Sequence, residues 1–307
     1  MELRVGLVTL DEIRAAATRV PSTKLIAHGE EFWLKPENTQ PTGSFKIRGA
    51  TNAIAQLAPK LVITHSSGNH GAALAYAAKA SGVQAIVVVP ETAPAVKVDA
   101  IRALGAEVVV VPPDQRVSAT ERLAAVREAT LIPPFDNRHV IAGQGTIGLE
   151  ILEELPDVEV IIVPVGGAGL ISGIATAVKS LNSNVRVIGV EPELAAEAQE
   201  SLQRDRLISW PVDKTYRTIA DGVRMGPSAL TFAHLREYVD DIITVSEEEI
   251  LKAVGVLAKD VPLTVEPSGA LTTAAYLFRR GFLPQGRTVA VISGGNVDPE
   301  LLRSCLQ

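Results

Sequence analysis

The sequence predicts an α/β fold built on two sheets of mainly parallel strands. Short β-branched runs alternate with helical stretches, the alternation occurs in two separate sets along the chain, and no internal repeat or low-complexity tract interrupts it. Strand, helix and strand at this spacing are typical of a parallel sheet with right-handed crossovers. The chain is long enough for two such units.

The first set is preceded by a short helix at 11–20, which has acids in its first turn and stops before Pro21. A strand at 31–35 and a helical run at 47–57 follow it. The parallel strands of this set are predicted at 61–65, 85–89 and 107–111, and the helices between them at 71–80 and 94–104.

The second set has the same alternation with longer helices. Its strands are predicted at 160–165, 185–190, 242–245 and 288–293. Its helices are predicted at about 145–154, 169–181, 247–259 and 268–279. Residues 204–227 are the least regular part of the chain and are expected to form a loop beside the site.

The two sets predict two domains. We expect a large domain formed by residues 1–51 and 139–307, and a small domain formed by residues 52–138. The carboxyl ends of strands and the N-termini of helices would face the cleft between them, which makes the cleft the expected ligand site.

Composition excludes several classes of function. The formal net charge of the 307 residues is -6 and no basic run exceeds Arg279 and Arg280, so nothing resembles a nucleic-acid or anionic-membrane surface. Cys305 is the only cysteine, which excludes an internal disulfide and a cysteine metal cluster. The sequence begins without a signal-peptide pattern and lacks an apolar run of spanning length. A soluble cytoplasmic protein acting on a small molecule is expected.

The segment at 41–49 places Lys46 directly after a Gly-Ser turn and beside Phe45, at the start of a helical run. Burial there would lower the pKa of the ammonium group and leave a neutral amine that can form a Schiff base. The alternative is a surface lysine at a helix start.

A strand at 160–165 leads into the glycine-rich run at 166–169 and then into a helix. Glycine lets backbone N–H groups approach an anion and the helix dipole adds positive charge, so a phosphate is expected. Two alternatives are a tight turn without a ligand and a dinucleotide site in which Glu191 binds the ribose. Against the dinucleotide site, the motif starts in mid-chain and its last spacing is three residues rather than two.

Two further strand ends carry polar side chains. The run at 65–71 offers hydroxyls, an amide and N–H groups that could bind a carboxylate, and one hydroxyl could move a proton. An ordinary helix cap is the alternative. His65 and His70 have no metal-ligand spacing and are expected to be structural. Ser293 ends the last strand, where its hydroxyl could bind a ring nitrogen or simply belong to a turn.

Taken together, these motifs resemble the fold-type II pyridoxal-phosphate (PLP) enzymes, in particular the serine racemase and serine/threonine dehydratase family. The resemblance covers nearly the whole chain and rests on the ordered segments 42–49, 66–71, 140–146, 164–169, 219–223, 265–269 and 293–298. It implies a tryptophan synthase β-like fold with the cofactor in the cleft between two α/β domains. It also displaces the dinucleotide interpretation.

The resemblance implies a role for each motif. Lys46 would hold PLP covalently and move the α-proton on one face, while Ser67 would serve the opposite face. Contacts to the cofactor are implied for Phe45, Lys46, Asn69, Gly166, Gly167, Ala168, Gly169, Leu170, Glu266 and Ser293. Contacts to the substrate are implied for Ser66, Ser67, Gly68, Asn69 and His70. A site for Mg²⁺ or Ca²⁺ is implied at Glu191, Glu197 and the carbonyl of Ala195, although the racemases more often have Asp at position 197.

The expected function is a PLP-dependent dehydratase or ammonia-lyase that converts L-threonine or L-serine to a 2-oxo acid and ammonia, with serine racemisation as a second activity. Alternatives are 3-hydroxyaspartate dehydration, β-replacement of the cysteine synthase kind and a non-catalytic binding protein. The first would need a cation for the side-chain carboxylate, with Arg48, Arg138 and Arg224 as candidates. The family suggests a homodimer.

Three departures from the family pattern qualify these expectations. Pro41 stands where ATP-binding racemases have a lysine, so nucleotide activation is not expected. Phe135 stands near a position that is polar in the racemases, so the segment at 133–136 resembles the dehydratases more closely. Ala168 interrupts the usual run of glycines.

Overall fold

The computed structural model describes residues 6–66, 68–93 and 95–306. The strands within these ranges are β1 (Ile26–Ala27), β2 (Phe32–Pro36), β3 (Leu61–His65), β4 (Gln84–Pro90), β5 (Glu107–Val111), β6 (Thr130–Leu131), β7 (Val160–Pro164), β8 (Arg186–Pro192), β9 (Asp241–Val245) and β10 (Thr288–Ile292). The helices are α1 (Leu10–Ala17), α2 (Lys46–Leu57), α3 (Asn69–Ala80), α4 (Ala95–Ala103), α5 (Arg116–Val126), α6 (Arg138–Glu154), α7 (Gly169–Leu181), α8 (Glu197–Gln203), α9 (Val212–Thr215), α10 (Ala229–Tyr238), α11 (Glu247–Asp260), α12 (Pro267–Phe278) and α13 (Pro299–Cys305).

The strands form two sheets, as the sequence predicts. The larger sheet has the order β1-β2-β10-β7-β8-β9, and the smaller has the order β5-β4-β3-β6. All strand pairs are parallel except β1 with β2, which are antiparallel with Ile26 opposite Leu34. Consecutive parallel strands are joined through helices, so all the strands that lead into the glycine-rich and polar motifs end at the same edge of their sheet.

Helices cover both faces of the larger sheet. The core on one face contains residues of α11 and α12, and the core on the other contains residues of α6, α7 and α10. The strands β7 and β10 have every residue buried, which explains their continuous apolar sequences. Burial of this apolar area on two faces is the main stabilising contribution of the larger unit.

The smaller sheet also has a core on each face. Leu74, Ile101 and Val140 lie in the core that also contains α2, whereas Ile86 and Ala119 belong to the other face. Helix α2 packs against α3 and α6, so it lies between the two sheets. The predicted domain boundaries, at 51/52 and 138/139, fall inside α2 and at the start of α6, and the division of the chain at these points stays a prediction.

Most predicted elements are present, with differences at their ends. Helix α6 begins at Arg138 rather than near 145 because the side chain of Asn137 accepts hydrogen bonds from two backbone N–H groups and caps it. Within 204–227 the chain forms α9 and a short 3₁₀ turn at Asp221–Val223. Elements that the sequence analysis did not predict are β1, β6, α5, α8, α9, α10 and α13. None of the helices in the described ranges is long and apolar enough to cross a membrane.

Candidate active site

The segment that carries Lys46 is joined to the end of β10. The backbone N–H of Phe45 donates to the carbonyl oxygen of Ser293 at 3.1 Å, and Ser44 forms an isolated bridge with Gly294. Gly43 has a φ of +71°, and a Cβ at this position would overlap the side chain of Asn296. The turn therefore needs glycine for its backbone conformation and for its close approach to the β10 segment. It sets Lys46 at the first position of α2 beside Ser293.

The Lys46 side chain is partly buried and has an unusual environment for a lysine. Its Nζ donates to the carbonyl oxygen of Pro134 at 2.9 Å and lies 4.9 Å from the centre of the Phe45 ring. Burial lowers the pKa of Lys46 to about 8, and the negative charge of Glu266 opposes part of this shift. An amine with this pKa is partly neutral near pH 7 to 8, so it can act as a nucleophile and as a base.

The glycine-rich loop connects the end of β7 to the start of α7. Ala168, the residue before α7, has a φ of +63° and makes no side-chain hydrogen bond to the helix. An added Cβ at Gly167 would overlap the ring of Phe135, so glycine is required there by close approach. The first N–H groups of α7 have no side-chain cap, and together with the helix dipole they make this loop suitable for a phosphate.

The turn after β3 leads into α3. Ser66 Oγ accepts a hydrogen bond from the N–H of Gly68 at 3.3 Å. The ring of His70 is buried and its Nε2 lies 2.9 Å from the carbonyl oxygen of Ile132. Burial lowers the pKa of His70 to about 3, which keeps the ring neutral. Ser67 lies outside the described residues.

Asn69 is oriented by hydrogen bonds on both sides of its amide. Its Nδ2 donates to Glu266 Oε1 at 2.6 Å, and its Oδ1 accepts from Asn296 Nδ2 at 2.7 Å. The second hydrogen of Nδ2 stays available as a donor to a ligand. Asn296, in turn, also donates to the carbonyl of Thr42, so the same network ties Asn69 to the turn before Lys46.

Glu266 is a buried acid bonded to Asn69. It precedes α12 and is 4% exposed. Burial raises the pKa of Glu266 to about 7, and the neighbouring charge of Asp221 adds to the shift, while the hydrogen bond from Asn69 opposes it. Ser293 is buried at the end of β10, and its Oγ has a long contact of 3.4 Å to the carbonyl oxygen of Ser268. A hydroxyl with so weak a partner can turn to a ligand.

The predicted cation ligands lie together at the end of β8 and the start of α8. Both carboxylates are buried: Glu191 accepts hydrogen bonds from the backbone N–H groups of Ala198 and Gln199, and Glu197 Oε2 has no hydrogen-bond partner. Burial raises the pKa of Glu191 to about 8 and also raises that of Glu197. Across the described part of the chain, no group of three His, Cys, Asp or Glu residues could hold a metal. Any cation would therefore need the carbonyl of Ala195 and water as well.

Sequence reasoning did not predict that the segment at 132–136 would contact Lys46 and the glycine-rich loop. The signals in this segment were the pair Pro133-Pro134, which predicts an irregular extended segment, and the dehydratase-like sequence at 133–136; neither identifies the residues that the segment contacts. It also missed the ion pair between Lys97 Nζ of α4 and Asp221 Oδ2 at 3.1 Å, which links the smaller sheet's helix to the larger sheet's loop.

The three candidate arginines are held by other groups. Arg48 is fully buried between the carboxylates of Glu37 and Glu150. Arg138 donates twice to Glu12, and Arg224 donates through Nε and Nη2 to the carbonyl oxygen of Thr218.

Residues 13–294 match the family described as pyridoxal-phosphate dependent enzyme, and the chain belongs to this family. It is 44% identical over 295 residues to the L-threonine ammonia-lyase of Geobacter sulfurreducens, in an alignment that covers 91% of this chain and 72% of that protein. The structure of maize serine racemase superposes with a TM-score of 0.91 at 35% identity, over 97% of both chains. Serine racemase from Dictyostelium discoideum gives a TM-score of 0.87 at 41% identity, over 95% of this chain and 99% of that one. The resemblance to fold-type II PLP enzymes is thus confirmed, and with it the predicted fold class.

Proposed function

We propose that this chain is a PLP-dependent ammonia-lyase of small β-hydroxy amino acids, with L-threonine and L-serine as substrates. The observation that carries the proposal is the Lys46 amine, whose pKa is about 8, which lies near the Phe45 ring and feels the charge of Glu266, the acid that binds Asn69. The relative named as an L-threonine ammonia-lyase supports the choice of reaction.

The residues of the cleft fit PLP. The Lys46 amine would bind it covalently, the backbone of residues 166–170 would hold its phosphate, and Phe45 would pack near its ring. The free N–H of Asn69 and the weakly bonded hydroxyl of Ser293 would meet its polar ring atoms. When bound, PLP supplies the electron sink that makes the α-proton of an amino acid acidic.

Lys46 is the acid–base group of the proposed reaction. Its Nζ, with a pKa of about 8, can take the α-proton of the substrate near neutral pH and return it. The Pro134 carbonyl oxygen, at 2.9 Å, accepts a hydrogen bond from the amine and so fixes the direction of its lone pair. Loss of the β-hydroxyl then gives an enamine that hydrolyses to a 2-oxo acid and ammonia.

Racemisation of serine is proposed as a second activity, supported by the similarity to maize serine racemase. It needs a group on the face opposite Lys46, and Ser67 is our candidate from the sequence. Ser67→Ala should suppress reaction of the enantiomer whose α-proton faces away from Lys46, and spare the other. Equal loss for both enantiomers would show that Ser67 only positions the substrate. The turn at 66–70 is proposed to bind the substrate carboxylate.

A divalent cation, Mg²⁺ or Ca²⁺, is proposed at Glu191, Glu197 and the carbonyl of Ala195. The buried oxygen of Glu197 that lacks a hydrogen-bond partner supports this, because a cation is the partner that would compensate its burial. At a concentration 100 times its Kd, the ion should stabilise the protein by about 2.7 kcal/mol.

Thermal unfolding with the ion and with EDTA tests this cation site. Glu197→Gln should remove the difference in unfolding temperature between the two conditions. Glu200→Gln changes an acid of the same helix that already pairs with Arg204, so this variant should still show the difference. An equal shift in both variants would argue against the site.

A homodimer in the cytoplasm remains our proposal for the state of the protein. Sedimentation equilibrium of the cofactor-loaded protein would decide between a monomer and a dimer.

The proposed activity is tested by 2-oxo acid release from cofactor-loaded protein given L-threonine, L-serine, D-serine and the 3-hydroxyaspartate isomers. Release from L-threonine or L-serine supports the proposal, and release from 3-hydroxyaspartate alone would replace it. Absence of release from all of them, with a product that depends on added sulfide, would indicate β-replacement instead. A protein that takes up no PLP would indicate a non-catalytic binding role.

A further inference from the structure

Phe135 lies between Lys46 and the glycine-rich loop of the proposed site. The carbonyl of the preceding residue, Pro134, accepts a hydrogen bond from Lys46 Nζ at 2.9 Å. The Phe135 ring lies directly against Gly167, and a Cβ added to Gly169 would come within 2.8 Å of Phe135 Cβ. Phe135 is only partly buried despite these contacts, so part of the side chain still faces open space.

The position of Phe135 matters because of the way an amino acid would have to enter the cleft. This step rests on the proposed function. The nitrogen of the substrate would join the cofactor, its α-hydrogen would face Lys46, and its carboxylate is assigned to the turn at 66–70. The remaining substituent on Cα is the side chain. Phe135 is the apolar side chain that packs on the glycine-rich loop directly after the Pro134 carbonyl bonded to Lys46, so we assign the substrate side chain to it.

A phenyl ring at this wall discriminates by chemistry. It gains apolar contact from a methyl group but offers no hydrogen bond to a polar group. A side-chain carboxylate would lose water there without gaining a partner, because Arg48, Arg138 and Arg224 are already held by other groups. The carboxylate of Asp136, directly after Phe135, accepts a hydrogen bond from Ser228 Oγ at 2.7 Å and adds negative charge nearby.

We propose that Phe135 determines the side-chain specificity of this site, favouring a β-methyl group over a β-hydrogen and disfavouring a β-carboxylate. The protein is therefore a threonine-class enzyme first, with serine as the poorer substrate and 3-hydroxyaspartate poorer still. One methyl group in an apolar pocket is worth about 10-fold or more in specificity.

The test separates binding from turnover. L-2-Aminobutyrate and L-alanine correspond to threonine and serine without the hydroxyl that leaves, so their affinities are measured from the absorbance change of cofactor-loaded protein. The wild type should bind L-2-aminobutyrate more tightly. Phe135→Ala should lower this preference about 10-fold, and Phe135→Leu should keep it within about 3-fold. Phe282→Ala is the matched control, because Phe282 is 69% exposed and should leave the preference unchanged.

The same variants are then compared in kcat/KM for L-threonine and L-serine, where the ratio should fall in parallel. A preference that stays within about 2-fold of wild type in Phe135→Ala would overturn the proposal. If the alanine variant does not take up PLP, Phe135→Val decides, with an expected fall of about 3-fold, and an unchanged ratio there would overturn it too. If the wild type shows the binding preference but releases no 2-oxo acid, the lyase function fails while the role of Phe135 stands.

Discussion

Two regions only a few residues apart in the sequence treat buried positive charge in opposite ways. The charge cluster, made of Lys35, Glu37, Arg48 and Glu150, pairs every cation with a carboxylate at short distance. Lys46, two residues before Arg48 in the same helix, has a neutral carbonyl as its hydrogen-bond acceptor. The carboxylates of the cluster stabilise the charged form of their partners, whereas the surroundings of Lys46 favour the loss of its proton.

The charge cluster holds three elements together. Arg48 of α2 donates to Glu37 Oε1 at 2.7 Å and to Glu150 of α6, and Lys35 of β2 lies 2.6 Å from Glu150 Oε2. Burial by itself would lower the pKa of Arg48, but the carboxylates of Glu37 and Glu150 outweigh it and raise the pKa. Arg48 therefore stays charged, and the cluster anchors α2, and with it Lys46, to the larger sheet.

The largest expected effect is a loss of turnover when Lys46 is replaced, which replacement of a lysine in the charge cluster should not cause. Lys46→Ala should lower turnover by about 10³-fold or more and abolish covalent attachment of the cofactor, because the nucleophile and the base are removed together. Lys35→Met is the matched change of a buried lysine in the cluster, and it should retain turnover per folded, cofactor-loaded molecule. Both are measured by initial rates and by borohydride trapping of the cofactor. Equal losses in the two variants would remove the distinction.

The next effect concerns stability, to which the charge cluster should contribute strongly. Arg48→Met leaves the buried Glu37 without its cation and should cost about 3–5 kcal/mol of the free energy of unfolding, measured with urea. Arg48→Lys keeps the charge but loses the bidentate geometry of the guanidinium group. Its free energy of unfolding should therefore lie between those of the wild type and Arg48→Met. A methionine variant as stable as the wild type would show that the cluster does not anchor α2.

A pH series sharpens the comparison for Lys46 itself. The folded pKa of about 8 lies below the ordinary 10.5, so the unfolded chain binds more protons than the folded one between these values. Stability of the cofactor-free protein therefore rises with pH across this window. The free energy of unfolding of Lys46→Met should exceed that of the wild type by up to about 3 kcal/mol below pH 8, and this excess should vanish above pH 10.5.

The series compares the unfolding free energies of the two proteins in urea at each pH. Contributions from groups that do not interact with Lys46 cancel in the difference, whereas Glu266 and His70 interact with its charge and contribute to it. A gain that does not change with pH would contradict the lowered pKa. Cofactor uptake by the wild type should rise with pH, with a midpoint near 8, and level off above it.

The smallest effects concern neighbouring positions in the glycine-rich loop. Gly167→Ala must displace the Phe135 ring and should weaken PLP binding about 10-fold, whereas Ala168→Gly relieves a φ of +63° at the cost of backbone entropy. In Ala168→Gly the relief of backbone strain and the cost in backbone entropy nearly cancel, so its free energy of unfolding should stay within about 1 kcal/mol of wild type. Fluorescence titration with PLP and urea unfolding measure the two quantities. A stronger effect at 168 than at 167 would argue against the packing described for Phe135.

Local patterns were sufficient for most of the fold. Helix α7 and strand β5 have the bounds predicted from the sequence, because a glycine-rich start and a β-branched run are local signals. Strands β1 and β6 have two residues each, which is too short for a periodic pattern, and they were not predicted: β1 is defined by its pairing with the neighbouring strand β2, and β6 by its pairing with the distant strand β3. Helix α8 is similarly short, and its first turn depends on the carboxylate of Glu191 from β8.

The sequence by itself determined the order of the motifs, the type of fold and the lysine that would carry the chemistry, because these depend on residue types at short spacing. Only the tertiary structure decided how that lysine behaves. Pro134, 88 residues away, receives its hydrogen bond, and Glu266, far along the chain, limits its pKa shift. Burial and electric field depend on all the groups that surround a residue in space, and most of these are distant in sequence.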